Sequence, residues 1–95
     1  MKTEARRILF SGRVQGIGFR MTAVQFASGR PVSGTVRNLP DGRVEMVVEG
    51  ESAEIVALVA RLSEHFGSFI RNVDHADVAP LPGGGKRSIG LRVID

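Results

Sequence analysis

Ninety-five residues with a net charge of +3 are enough for one small domain that buries roughly 60–65% of its unfolded surface, so any active site must be compact. The absence of cysteine excludes disulfide staples, thiolate metal sites and cysteine-based phosphatase chemistry. Charges interrupt residues 1–7 and no apolar run approaches the roughly 20 residues needed to span a membrane, so neither a signal peptide nor a transmembrane segment is expected and a cytoplasmic location is the default.

The apolar run Ile8-Leu9-Phe10 predicts a first strand over residues 6–13. It leads into Gly12-Arg13-Val14-Gln15-Gly16-Ile17-Gly18-Phe19-Arg20, a loop that has lost most of its Cβ atoms and ends in an arginine where a helical pattern starts. Backbone N–H groups in such a loop can turn inward together around an anion at a helix N-terminus, and a guanidinium at its rim adds a fixed positive fork. The structural alternative is a tight strand-to-helix turn in which glycine only relieves strain.

Phe19, Ala23 and Phe26 share one helical face, predicting a helix over 19–28 that Gly29 and Pro31 stop. Residues 32–39 read as a strand, Pro40-Asp41-Gly42 as a tight turn, and 43–49 as a second strand with Val44, Met46 and Val48 on one face. Gly34 is expected to be a bulge or a close-packing site. Glu51 and Glu54 flank Ser52, which suits a capped helix start. Ile55, Val59, Leu62 and Phe66 then make the longest apolar stripe of the chain, expected to be core, and Gly67 ends that helix. A strand over 68–78, a loop at Pro80-Leu81-Pro82-Gly83-Gly84-Gly85 and a last strand over 88–94 complete the pattern.

This order is β-α-β-β-α-β with a short final strand, which predicts an α+β, ferredoxin-like split βαβ arrangement: an antiparallel sheet with two helices on one face. Several functions are disfavoured directly. Gly85-Lys86-Arg87 lacks both the first glycine and the hydroxyl of a Walker loop. The strand 43–49 carries no stacking aromatic and the chain has no tyrosine or tryptophan, so nucleic-acid binding is not expected. Asp74, His75 and Asp77 lack metal-ligand spacing and read as a solvated face, so no metal and no cofactor is expected. Eleven of the thirteen basic residues are arginine, but they are scattered from Arg6 to Arg92, which suits small anions.

The glycine-rich segment 12–20, followed by Asn38 within Gly34-Thr35-Val36-Arg37-Asn38-Leu39-Pro40-Asp41-Gly42-Arg43-Val44-Glu45, closely resembles the acylphosphatase family. The resemblance covers nearly the whole chain, most strongly from Gly12 to Gly50, and implies a single acylphosphatase-like domain over residues 1–95. It implies metal-independent hydrolysis of acyl phosphates to a carboxylate and inorganic phosphate. The loop amides of Val14, Gln15, Gly16, Ile17, Gly18 and Phe19, together with Arg20, would bind the phosphoryl group, and Asn38 would orient the attacking water. A monomer acting on a small acyl phosphate, with no nucleic-acid or membrane partner, is expected. The side chains of Arg13 and Gln15 are expected to face solvent.

Three positions depart from the usual family pattern: Ala23 stands for threonine, Arg30-Pro31 for an aliphatic residue and glycine, and Thr35 for tryptophan. Two readings compete with the enzyme. Asn38 could be a strand-end turn residue. The whole chain could be a non-catalytic acylphosphatase-like module that binds phosphate, a carbamoyl-phosphate-type ligand or a protein partner.

Overall fold

The structure, a computed structural model, describes residues 3–79 and 89–94. Five strands and two helices follow in the order β1 (Thr3–Gly12), α1 (Phe19–Ala27), β2 (Val32–Asn38), β3 (Val44–Glu51), α2 (Ser52–Phe66), β4 (Ile70–Val78) and β5 (Gly90–Val93). One 3₁₀ turn, Gly67–Phe69, stands between α2 and β4, so the strand expected from residue 68 begins only at Ile70. The glycine-rich loop expected at residues 80–85, and Ser88, the expected start of the last strand, lie outside the described residues.

The sheet order is β4-β1-β3-β2-β5. Four strands pair antiparallel as expected, while β5 adds a parallel edge beside β2, with Gly34 opposite Leu91 and Val36 opposite Val93. Alternation along the strands puts Ile8, Phe10, Val36, Val44, Met46 and Val48 in one core with the inner residues of both helices, so both helices cover the same sheet face. The apolar stripe of α2 is buried there in full, joined by Leu58. Burial of a side chain of this size stabilises by about 1.5–3 kcal/mol.

The start of α2 differs from expectation. Ser52 is the first helical residue and makes no cap; its hydroxyl instead accepts a hydrogen bond of 3.0 Å from Arg6 of β1. α1 stops at Ala27, with Ser28 as its C-cap in an extended conformation.

Gly34 is a close-packing position. Its φ is +155°, and a Cβ there would stand 1.8 Å from the carbonyl oxygen of Val47 on the neighbouring strand. The backbone of β3 could not move away without breaking the ladder, so glycine is required.

Of the positions that depart from the family pattern, Ala23 is fully buried on the inner face of α1. Arg30 pairs with Glu54 at 3.2 Å and so joins the exit of α1 to the first turn of α2. Thr35 lies half-buried in β2 opposite Val47 and Arg92. Among the described residues no helix is long and apolar enough to cross a membrane.

Candidate active site

β1 ends in an irregularity. Its register with β4 shifts between Ser11 and Gly12, and the amide of Arg13 bonds to the carbonyl of Phe69 at 2.8 Å. Gly12 has a φ of +124°, and a Cβ there would lie 2.4 Å from the Phe69 carbonyl oxygen, so the chain can leave the sheet at this point only through glycine. The loop that follows is fastened from both sides. Val14 is buried in the core, and Phe19 fills its centre, with ring centroids 4.8 Å from Phe10 and 4.7 Å from Phe66.

Between these anchors Gly16 and Gly18 both hold a φ of +80°, and a Cβ on either would meet no neighbour. The space above them is open. Gly18 is the N-cap of α1 in the left-handed conformation, without a side-chain cap, and the first turn carries no acidic residue. The first intrahelical bond runs from the Thr22 amide to the Gly18 carbonyl at 3.0 Å, which leaves the earlier amides of the helix without intrahelical partners. The positive end of the helix dipole therefore faces the loop uncompensated, a setting that favours an anion.

Val14, Gly16, Gly18, Phe19 and Arg20 from the loop and α1 line one cleft of about 210 Å³ together with Asn38 from the end of β2. The strand pattern explains how Asn38 arrives there. It shares the helix-covered side of the sheet with Val32, Gly34 and Val36, and at the strand end it clears the core and meets the loop. Among the described residues neither the Arg20 guanidinium nor the Asn38 carboxamide has a hydrogen-bonding partner within the protein. Both residues are half-buried.

Gln15 and Ile17, the other two residues assigned to the loop, send their side chains elsewhere. Ile17 packs partly buried against the core. Gln15 is exposed, but its Nε2 donates to the carbonyls of Leu39 at 2.9 Å and Arg43 at 3.0 Å. Its side chain thus ties the loop to the β2–β3 turn beside Asn38, a role that the solvent-facing expectation missed. That turn is closed by the Leu39 amide bonding to the Arg43 carbonyl at 2.8 Å, and Asp41 accepts from Arg43 at 2.8 Å. Arg13 is exposed as expected, its guanidinium 5.8 Å from the centre of the Phe69 ring.

Two lining residues were not legible in the sequence. Met21 follows Arg20 on α1, and Val93 belongs to β5. No motif signals either; only the parallel pairing of β5 with β2 brings Val93 to the rim.

The acylphosphatase family model matches residues 6–87. The acylphosphatase of Rubrobacter xylanophilus is 42% identical over 92 residues, covering 96% of this chain and 82% of the relative. That of Anaeromyxobacter dehalogenans is 50% identical over 72 residues, covering 76% of this chain and 75% of its own. The crystal structure of acylphosphatase from Bacillus subtilis superposes with a TM-score of 0.81 at 27% identity, over 99% of this chain and 100% of that one. A family match that runs from the first strand past the last residue of β4, on a backbone of the same topology, means that this chain belongs to the acylphosphatases, enzymes that hydrolyse acyl phosphates to a carboxylate and inorganic phosphate.

Proposed function

We propose that the loop amides between Val14 and Phe19 and the Arg20 guanidinium bind the phosphoryl group, and that Asn38 orients the water that attacks it. The observation that carries this reading is the convergence on one cleft of the uncapped N-terminus of α1, which also carries Arg20, and of Asn38 from the end of β2. An amide nest and a guanidinium fork are geometrically suited to the three equatorial oxygens on which charge develops in phosphoryl transfer.

The reaction asks little else of the protein. Water oxygen attacks phosphorus while the bond from phosphorus to the acyl oxygen breaks, and the leaving group departs as a carboxylate. Its conjugate acid has a pKa near ~4, so the leaving oxygen needs no protonation at neutral pH. The water must lose a proton, and a phosphate oxygen of the substrate can accept it. Asn38 then contributes position: its carboxamide oxygen accepts one hydrogen bond from the water and fixes its line of approach. Catalysis by this single small domain consequently rests on placement and charge stabilisation.

The test is Asn38→Ala, read as kcat on benzoyl phosphate and as the inhibition constant of inorganic phosphate. Loss of a contact made chiefly in the transition state should lower kcat by roughly 10²–10³ and leave phosphate inhibition close to unchanged. An alanine variant of normal kcat would return Asn38 to a structural turn residue, and the reading as a binding module without turnover would gain.

A further inference from the structure

The polar half of the cleft is accounted for by the phosphoryl group, but its outer wall is apolar. Met21 is 69% exposed and Val93 41% exposed, and both line the cleft that holds Gly16, Gly18, Arg20 and Asn38. An isolated exposed methionine needs no explanation. Here two exposed apolar side chains from segments far apart in sequence meet at the rim of one site. Each is placed there by regular structure. Met21 sits in the first turn of α1, where side chains lean towards the helix N-terminus and hence over the loop. Val93 pairs with Val36, so its side chain stands on the same side of the sheet as those of Val36 and Asn38. Among the described lining residues Arg20 carries the only charge.

We propose that Met21 and Val93 form an apolar lip that receives the acyl group, so that the enzyme prefers acyl phosphates with an aryl or bulky aliphatic acyl group over acetyl and carbamoyl phosphate. This rests on the phosphoryl group occupying the loop as described above. With the phosphorus held there, the acyl group has to leave the nest on its open side, and the lip lies on that side. A ring or branched chain resting on Met21 and Val93 removes apolar surface from water on both partners. The thioether of Met21 also adapts to irregular shapes and makes favourable contacts with aromatic edges. A methyl group is too short to gain from this, and the amide of a carbamoyl group would lose hydration with no polar partner on the lip.

The experiment compares the wild type with Met21→Gln, Val93→Thr and the double variant, changes that keep length and branching and so spare the helix and the strand. kcat/KM is measured on benzoyl phosphate and acetyl phosphate, and the ratio of the two is followed across variants, which cancels the intrinsic difference in reactivity between the substrates. The double variant should lower that ratio about tenfold, chiefly through KM for benzoyl phosphate. Acetyl phosphate turnover and inhibition by inorganic phosphate should stay within about twofold. Met21→Leu should keep the wild-type ratio. Calorimetric binding of benzoylphosphonate and acetylphosphonate, which are not hydrolysed, reads the lip independently of turnover. A ratio and an analogue preference both unchanged in the double variant would overturn the lip. Analogue preference that responds to the variants in a protein without turnover would support the lip and overturn the hydrolytic roles instead.

Discussion

At the scale of single residues, the candidate site depends on groups kept free of other obligations. Five other arginines, Arg6, Arg7, Arg30, Arg37 and Arg43, are engaged with carboxylates. Arg20 is not, among the described residues, and it follows Phe19, whose ring is held between two others in the core. That anchorage fixes where the guanidinium starts while leaving its head unpaired. Arg20→Lys should therefore leave the fold intact and lose most activity, because an ammonium is a point charge and cannot reproduce a two-pronged contact to phosphate. Turnover at saturating benzoyl phosphate and a thermal melt on the same sample check both halves of this expectation; near-wild-type turnover would remove the clamp role. Residue identity and spacing single out Gly16, Gly18 and Arg20 in the sequence, because each is constrained by chemistry or backbone conformation at its own position, whereas Asn38 enters only through the resemblance to the acylphosphatases, since an asparagine before a turn reads equally as a turn residue. Met21 and Val93 were not legible, since an apolar side chain says nothing about itself until its neighbours are known.

At the scale of elements, the loop and the β2–β3 hairpin form one unit through Gln15. Its amide reaches across to two carbonyls of the hairpin turn, so the segment that carries Arg20 and the strand end that carries Asn38 are held at a fixed separation. Gln15→Ala removes both bonds. The side chain is exposed, so water can satisfy the released carbonyls and the cost in stability should be modest, about 1 kcal/mol. The effect on catalysis should be larger in proportion, with kcat/KM on benzoyl phosphate falling about tenfold as the two halves of the site lose alignment. Activity unchanged at reduced stability would make Gln15 a turn fastener alone. The sequence disclosed both helices and the hairpin through their apolar periodicity. It did not disclose this link, because a glutamine side chain has no periodic signature and its partners are backbone atoms of another loop. The start of α2 was misread for a similar reason: Ser52 had the right neighbours for a cap, but Arg6 from a distant strand takes its hydroxyl.

At the scale of the whole molecule, the sheet carries a charged lattice on the side that the helices leave open. Glu45 of β3, nearly buried, accepts from Arg7 of β1 at 2.6 Å and from Arg37 of β2 at 2.7 Å, stitching three adjacent strands. Burial by itself would raise its carboxyl, but the hydrogen bonds and charges of the two guanidinium groups outweigh that and hold it below the usual value of 4.5. A carboxylate depressed in the folded state stabilises the fold above its unfolded value, and that contribution is lost as pH falls through the folded one. Glu45→Gln should thus cost about 1–2 kcal/mol at pH 7, limited because both arginines are partly exposed and can be hydrated. Urea midpoints of the two proteins should converge towards pH 3; a gap independent of pH would mean that packing and not charge is responsible. The same sheet sets how the molecule reaches its native state. β1 pairs with β4 across most of the chain's length, and the wall that Val93 adds to the cleft exists only once β5 has found β2. Loop-closure entropy has to be met before such distant partners gain anything from pairing, which slows folding relative to proteins of local topology. Both walls of the cleft therefore mature late: Val93 reaches it only when β5 has found β2, and the phosphate loop is fastened only when Arg13 meets Phe69 and Phe19 meets Phe66, so the phosphoryl and the acyl side alike wait on partners from the distant half of the chain.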